Sequence, residues 1–266
     1  MIPDIGLGTY RLKGQDVIDS VTTALELGYR HIDTAQVYGN EAEVGQAIAD
    51  SGVAREEVFL TTKIWTDRFH HDDLIKSLEE SLERLGTDYV DLVLLHWPSP
   101  DNEVPVAESI SALVEAKHRG LTRDIGVSNF TIAQIDEALG VEGGDQLITN
   151  QIEVHPFLAN RALVDHCREK GLRVTGYMPL AVGKVMEDDT LKQIAESHEA
   201  TSAQVALAWV AARDIVVIPS STKRAHQQSN LDAMALSLSE NEIERINALD
   251  RGERIANPSF APVWDE

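Results

Sequence analysis

His31-Ile-Asp-Thr-Ala-Gln-Val-Tyr-Gly-Asn-Glu-Ala-Glu-Val-Gly45 packs one strand, one loop and one helix start into a single stretch. The apolar run from Arg30 ends in a carboxylate, Asp33. A polar, glycine-containing loop then carries Tyr38, and an amphipathic pattern begins at Asn40–Glu41. Outward from this stretch the same unit recurs. Short β-branched runs alternate with helix-period segments, the pattern of repeated βα units around a parallel sheet.

The expected strands are Ile5–Thr9, Arg30–Asp33, Phe59–Lys63, Val90–His96, Arg123–Ser128, Leu147–Gln151, Arg173–Tyr177 and Ile215–Pro219. Eight such units close an α/β (β/α)8 TIM barrel, and 266 residues match the roughly 250 that this barrel uses. Helices are expected at Asp16–Leu27, Glu41–Ser51, Asp72–Leu85, Val106–Arg119, Arg161–Lys170, Asp189–His198 and Ser202–Arg213. Two more, Arg224–Ala233 and Glu240–Leu249, follow the last strand. Gly28, Gly86, Gly120 and Gly171 stand where helices should end. Thr201 to Gln204 reads as a helix N-cap. No linker divides the chain, so residues 1–266 are expected to form one barrel domain. The irregular tail, residues 250–266, is placed over one barrel mouth.

Composition narrows the class. The hydrophobic fraction of 43% suits a globular protein. No basic-then-apolar leader and no membrane-length apolar run is present. The one cysteine, Cys167, fits a reducing compartment, so a cytoplasmic location is expected. The net charge of −21 argues against nucleic acid and anionic membranes as partners. Acids such as Glu41, Glu43, Asp72, Asp73 and Glu187 to Asp189 read as solvated faces. Such a surface suits either a high-salt cytoplasm, where the Debye length shrinks to ~3 Å at 1 M, or an ordinary acidic protein.

Barrel enzymes build their sites at the C-terminal strand ends. Here those ends carry Thr9-Tyr10, Asp33, Lys63, His96-Trp97, Ser128-Asn129, Gln151, Tyr177 and Pro219-Ser220-Ser221. Each alone has an ordinary role: Asp33 as a loop cap, Lys63 as a rim lysine, His96 as a core histidine. At successive strand ends of one barrel they read together. A phenol with a pKa of ~10 is a poor acid near neutrality, so Lys63, held by Asp33, is expected to make Tyr38 a stronger donor. His96 would orient a substrate carbonyl. With no protein nucleophile in the set, a hydride from a cofactor is the expected nucleophile. Ser128, Asn129 and Gln151 suit a carboxamide, and Tyr177 offers a flat face to a nicotinamide. Pro219 to Ser221 with Lys223 and Arg224 at a helix start suit phosphate. Gly6-Leu-Gly8 lacks a third glycine, so a Rossmann reading fails.

At these residues the chain resembles the aldo-keto reductase family. The likeness rests on Gly6-Leu-Gly-Thr9, Asp33-Thr-Ala to Tyr38, Thr62-Lys63, Leu95-His-Trp-Pro98, Ile125-Gly-Val-Ser-Asn-Phe130, Asn150-Gln151 and Ile218-Pro219. It runs from Ile5 to about Ala248 and is most similar to the 2,5-diketo-D-gluconate reductase type, which also takes methylglyoxal. The resemblance implies Asp33, Tyr38, Lys63 and His96 as the catalytic tetrad. It implies Gly8, Thr9, Asp33, Ser128, Asn129, Gln151, Tyr177, Pro179, Leu180, Pro219, Ser220, Ser221, Thr222, Lys223, Arg224 and Asn230 around the cofactor. Tyr10, Trp65 and Trp97 would line the substrate pocket.

A metal-free monomer that reduces small aldehydes and ketones, binding cofactor before substrate, is the implied function. Family members often place Lys and Arg where this chain has Ser220 and His226. Lys223 and Arg224 can take their place, so NADPH is still favoured, with NADH or dual use open. Met178 stands where Ser is frequent. Two rivals are a Schiff-base aldolase using Lys63 and a cofactor-binding redox sensor or scaffold without turnover.

Overall fold

A computed structural model describes residues 1–265; Glu266, the last residue of the expected tail, lies outside the described residues. The strands are β1 (Leu7–Gly8), β2 (His31–Asp33), β3 (Phe59–Ile64), β4 (Val90–Leu95), β5 (Thr122–Ser128), β6 (Leu147–Glu153), β7 (Arg173–Tyr177) and β8 (Val216–Val217). They form one parallel sheet in chain order. The bridge Ile5–Val217 joins its two edges, with Gly6 N donating to Val217 O at 2.8 Å. The barrel is closed.

Around it run α1 (Gln15–Leu27), α2 (Glu41–Asp50), α3 (His71–Leu85), α4 (Val106–His118), α5 (Ile132–Leu139), α6 (Arg161–Glu169), α7 (Asp189–Ser197), α8 (Ser202–Ala211), α9 (Arg224–Asp232) and α10 (Glu240–Asn247). The eight expected strands are all present. The first and last are shorter than their apolar runs, because pairing at the seam is brief. There the chains come close: a Cβ on Gly8 would stand 2.7 Å from the Ile218 carbonyl oxygen. A side chain at this position would push the seam apart. Gly28, Gly86, Gly120 and Gly171 have φ of 103°, 64°, 77° and 78°, the left-handed turns that end helices. The box at Thr201 and Gln204 is reciprocal.

Alternation along each strand separates two layers. Val93 and Leu95 of β4 join the apolar layer between sheet and helices, whereas Leu92 and Leu94 pack with Ile2, Val216 and Ile218 inside the barrel. On β3, Thr62 points outward and donates to Glu41 Oε1 of α2 at 2.6 Å. Thr61 and Lys63 therefore share the opposite, inward parity. Asp33 and Tyr177 end β2 and β7, and Gln151 stands two residues before the end of β6, on that same inward side.

Two expectations need correction. Helix α5 was absent from the expected set. Glu41 is not solvated: it is 2% exposed and held by Arg84 Nη2 at 2.7 Å and by Thr62, which supply the hydrogen bonds a buried carboxylate requires.

Candidate active site

Strand ends bring the expected acid–base residues together. Lys63 Nζ lies 2.5 Å from Asp33 Oδ1, 2.9 Å from Thr34 O and 3.4 Å from Tyr38 Oη. The second Asp33 oxygen accepts from Gln151 Nε2 at 2.8 Å. Asp33 is thus bonded on both sides, and the ammonium is aimed at the phenol. The His96 ring stands edge-on to Tyr38 at 5.6 Å and to Trp65 at 5.2 Å. His96 is buried, yet its Nδ1 has no hydrogen-bond partner, unlike a satisfied core histidine.

The loop that carries Tyr38 is held by Asn40, which is fully buried. Its amide donates to Thr9 O (3.0 Å) and Leu12 O (3.2 Å) and its oxygen accepts from Thr34 Oγ1 (2.7 Å). Asn40 is a residue the sequence reading passed over as a helix start. Its three bonds, made across the first and second loops, leave no trace in local periodicity.

Electrostatics at the centre departs from expectation. Burial pushes the Tyr38 phenol well above its ordinary range, and the Asp33 carboxylate adds to the rise. The expected lowering by Lys63 does not appear. The ammonium is already paired with Asp33 at 2.5 Å, so the phenol sees a nearly neutral pair from a desolvated position. Burial also lowers Lys63, opposed by Asp33, and burial with the Lys63 charge holds His96 well below the usual imidazole range.

The expected cofactor residues form two groups. Ser128, Asn129 and Gln151 meet at the ends of β5 and β6. Ser128 Oγ donates to Gln151 O at 2.8 Å, and Asn129 Nδ2 donates to His96 O at 3.0 Å. Asn129 Oδ1 accepts from the Tyr177 hydroxyl at 2.7 Å, fixing that half-buried ring. Thr9 Oγ1 donates to Asp33 O at 3.0 Å. Pro179 and Leu180 lie in the loop after β7, where Met178, Ala181 and Val182 have φ of 49°, 47° and 53°, strained for side chains of this kind.

The second group lies past β8. Gly8 N donates to Pro219 O at 3.1 Å; Ser220, Thr222, Lys223 and Arg224 are exposed, and Ser221 Oγ accepts from Lys223 N at 3.1 Å. Helix α9 starts at Arg224 without a side-chain cap. Arg224, expected at a phosphate, makes an exposed ion pair: its Nη1 lies 2.5 Å from Glu26 Oε2. Asn230 is buried beside Tyr29 rather than presented on the surface.

Tyr10 packs on Tyr38 at 5.2 Å and Trp65 on His96 at 5.2 Å. Trp97 meets Phe260 at 5.5 Å and Trp264 at 5.9 Å, and Phe260 also stands edge-on to Trp65 at 5.7 Å. The tail thus supplies Phe260 to this aromatic cluster. Sequence reading missed it, since the tail has no periodicity and only its aromatic content could have pointed there. Among the described residues no group of three or more His, Cys, Asp or Glu could hold a metal ion.

The aldo/keto reductase family model matches residues 4–251. The chain belongs to the aldo/keto reductase family. It is 54% identical over 265 residues to methylglyoxal reductase DkgB of Escherichia coli O157:H7, covering 99% of each chain. It is 38% identical to the glyoxal reductase of Bacillus subtilis (strain 168), over 97% of this chain and 92% of that one. A crystal structure assigned as a 2,5-diketo-D-gluconic acid reductase B superposes with a TM-score of 0.94 at 42% identity, covering 100% of this chain and 94% of that one. As an aldo/keto reductase the chain is an oxidoreductase of the nicotinamide-dependent kind. No helix among the described residues is long and apolar enough to cross a membrane.

The donor set can be weighed against that cofactor. A carboxamide needs neighbouring donors and acceptors, and a nicotinamide ring needs a fixed flat face. The Ser128–Asn129–Gln151 cluster and the Tyr177 ring, immobilised through Asn129, meet both needs. Lys223 and the uncapped start of α9 offer charge and N–H groups for phosphate. The residues fit the group.

Proposed function

We propose that this chain reduces small aldehydes and ketones, methylglyoxal and keto or diketo sugar acids among them, with Tyr38 as general acid. The observation that carries this reading is the placement of Lys63 Nζ between Asp33 Oδ1 at 2.5 Å and the Tyr38 hydroxyl at 3.4 Å. The bound nicotinamide cofactor supplies the hydride. Ser128, Asn129 and Gln151 hold its carboxamide, Tyr177 its ring, and Ser220 to Arg224 its phosphates.

Tyr38 keeps its proton across the neutral range, because burial raises the phenol. It is therefore a neutral donor that gives its proton to the far more basic alkoxide oxygen of the substrate. The phenolate left behind is stabilised by Lys63, which Asp33 keeps in place. His96, held neutral by burial, hydrogen-bonds the carbonyl oxygen and aligns it without competing as an acid. Tyr10, Trp65, Trp97 and the tail aromatics wall the carbonyl site and exclude water. The tail, residues 250–265 of those described, covers this mouth of the single barrel domain.

Further parts of the reading are NADPH preference, a monomeric state, a cytoplasmic location and neither nucleic acid nor membrane as partner. Lys223 and Arg224 in so acidic a chain support the first, and the net charge of −21 supports the last. The test is loss of absorbance at 340 nm with methylglyoxal, with NADPH and NADH in parallel, at low and multimolar KCl. Turnover that Tyr38→Phe lowers by about 10²–10⁴-fold, with cofactor binding kept, is the expected result. Tight cofactor binding without turnover in any condition would overturn it in favour of a redox sensor. Melting that rises with KCl would mark a high-salt protein.

A further inference from the structure

Glu153, the last residue of β6, is fully buried, and its only ion-pair partner among the described residues is the equally buried His155. A carboxylate so placed is costly unless hydrogen bonds replace water. They come from the tail. Ile255 N donates to Oε1 and Ala256 N to Oε2, each at 2.7 Å, and His155 Nε2 lies 2.9 Å from Oε1. Both oxygens are thus used to hold two consecutive peptides of a segment otherwise without secondary structure.

The same strand end grips the tail again. Asn160 Nδ2 donates to Glu153 O at 2.6 Å and Asn160 Oδ1 accepts from Arg254 Nη2 at 3.0 Å. The Arg254 guanidinium lies 3.7 Å from the Trp264 ring centroid. Four residues beyond the clamp, Phe260 stands against Trp65 and Trp97. The far end is tied by Ile132 N donating to Asp265 Oδ2 at 2.9 Å. Between these two ties no hydrogen bond among the described residues joins the segment to the barrel. The position of Phe260 is set by where the segment is held.

We propose that Glu153 is a positioning residue of the carbonyl pocket: its carboxylate clamps residues 255 and 256 and so places Phe260 against Trp65 and Trp97. It stands two residues past Gln151 on one strand, so cofactor and tail are served by neighbouring inward positions. The inference rests on the reductase reading, and it separates the two functions: the clamp governs the affinity for the carbonyl and leaves cofactor binding alone.

The test is Glu153→Gln, which turns one acceptor oxygen into an amide facing a tail N–H. With methylglyoxal and saturating NADPH, KM is expected to rise about tenfold, with kcat and NADPH affinity held within about twofold. In a Phe260→Ala background the same substitution should change KM less than about twofold, since the clamp acts through that ring. Trypsin cleavage at Arg254 should accelerate in Glu153→Gln. An unchanged KM, a full additional rise in the Phe260→Ala background, or a parallel loss of cofactor affinity would overturn the proposal. If Glu153→Gln does not fold, Ala256→Pro removes one tail donor while leaving the carboxylate intact, and the same outcomes decide. A parent chain without turnover would overturn the reductase reading alone; the trypsin comparison then still decides the clamp.

Discussion

Lys63 Nζ stands 2.5 Å from Asp33 Oδ1, and the two side chains are 0% and 2% exposed. Removing one member leaves the other charge buried and unpaired, which costs about 3–5 kcal/mol. Lys63→Met should therefore lower stability by about that amount in denaturant unfolding, besides abolishing turnover. The double variant Asp33→Asn with Lys63→Met should recover most of the stability and none of the activity. Equal stability of Lys63→Met and the parent would mean the pair is solvated.

The acid and the orienting imidazole are displaced to opposite sides of neutrality. Burial holds His96 well below the usual imidazole range and Tyr38 well above the usual phenol range. Neither group changes protonation near neutrality, so neither should give kcat a limb there. A pH–rate profile at saturating substrate checks it. A limb with its midpoint near the ordinary imidazole value would show that His96 titrates in the working enzyme.

The barrel was legible because its strands are apolar, β-branched and separated by helix-period segments. Position at the C-terminal strand ends then put Asp33, Lys63, His96 and Gln151 at one mouth. What escaped was set by contacts distant in sequence. Helix α5 spans only Ile132–Leu139, although Thr131 and Gln134 form a box like the one recognised at Thr201. Glu41 has the look of a surface acid until Arg84 and Thr62 arrive from α3 and β3. The direction of the Tyr38 shift was misjudged for a physical reason: proximity to Lys63 was counted, but desolvation and the neutralising Asp33 were not. Phe260 and Glu153 became visible only once the tail was laid across the strand ends.

Arg224 makes a second, competing choice at the expected phosphate site. Its pairing with Glu26 is exposed on both sides, 58% and 56%, and such pairs are worth at most about 1 kcal/mol. A 2′-phosphate can displace that carboxylate at little cost. Glu26→Gln should therefore tighten NADPH by about two- to fivefold and leave NADH unchanged. Fluorescence titration with both cofactors checks it. An equal change for the two would place Arg224 away from the 2′-phosphate.

Inside the barrel, at the opposite end of β2 from Asp33, His31 is 1% exposed. Its Nε2 lies 3.2 Å from Thr61 Oγ1, its Nδ1 has no partner, and its ring stands edge-on to Phe59. Burial lowers it to about 4. Above the unfolded value of ~6.5 neither state binds the proton, so this group contributes no pH dependence there. As pH falls below ~6.5 the unfolded chain takes up a proton that folded His31 refuses, and stability declines by about 1.4 kcal/mol per unit. The decline ends near the folded value, below which both states are protonated. Between pH 6.5 and 5 the loss from His31 alone is therefore about 2 kcal/mol. His31→Gln keeps a partner for Thr61 and removes the titration. Urea unfolding at pH 7.5 and 5.0 should show a pH-induced loss smaller in the variant by about that amount. Identical losses in the two proteins would mean that His31 is protonated inside the folded barrel.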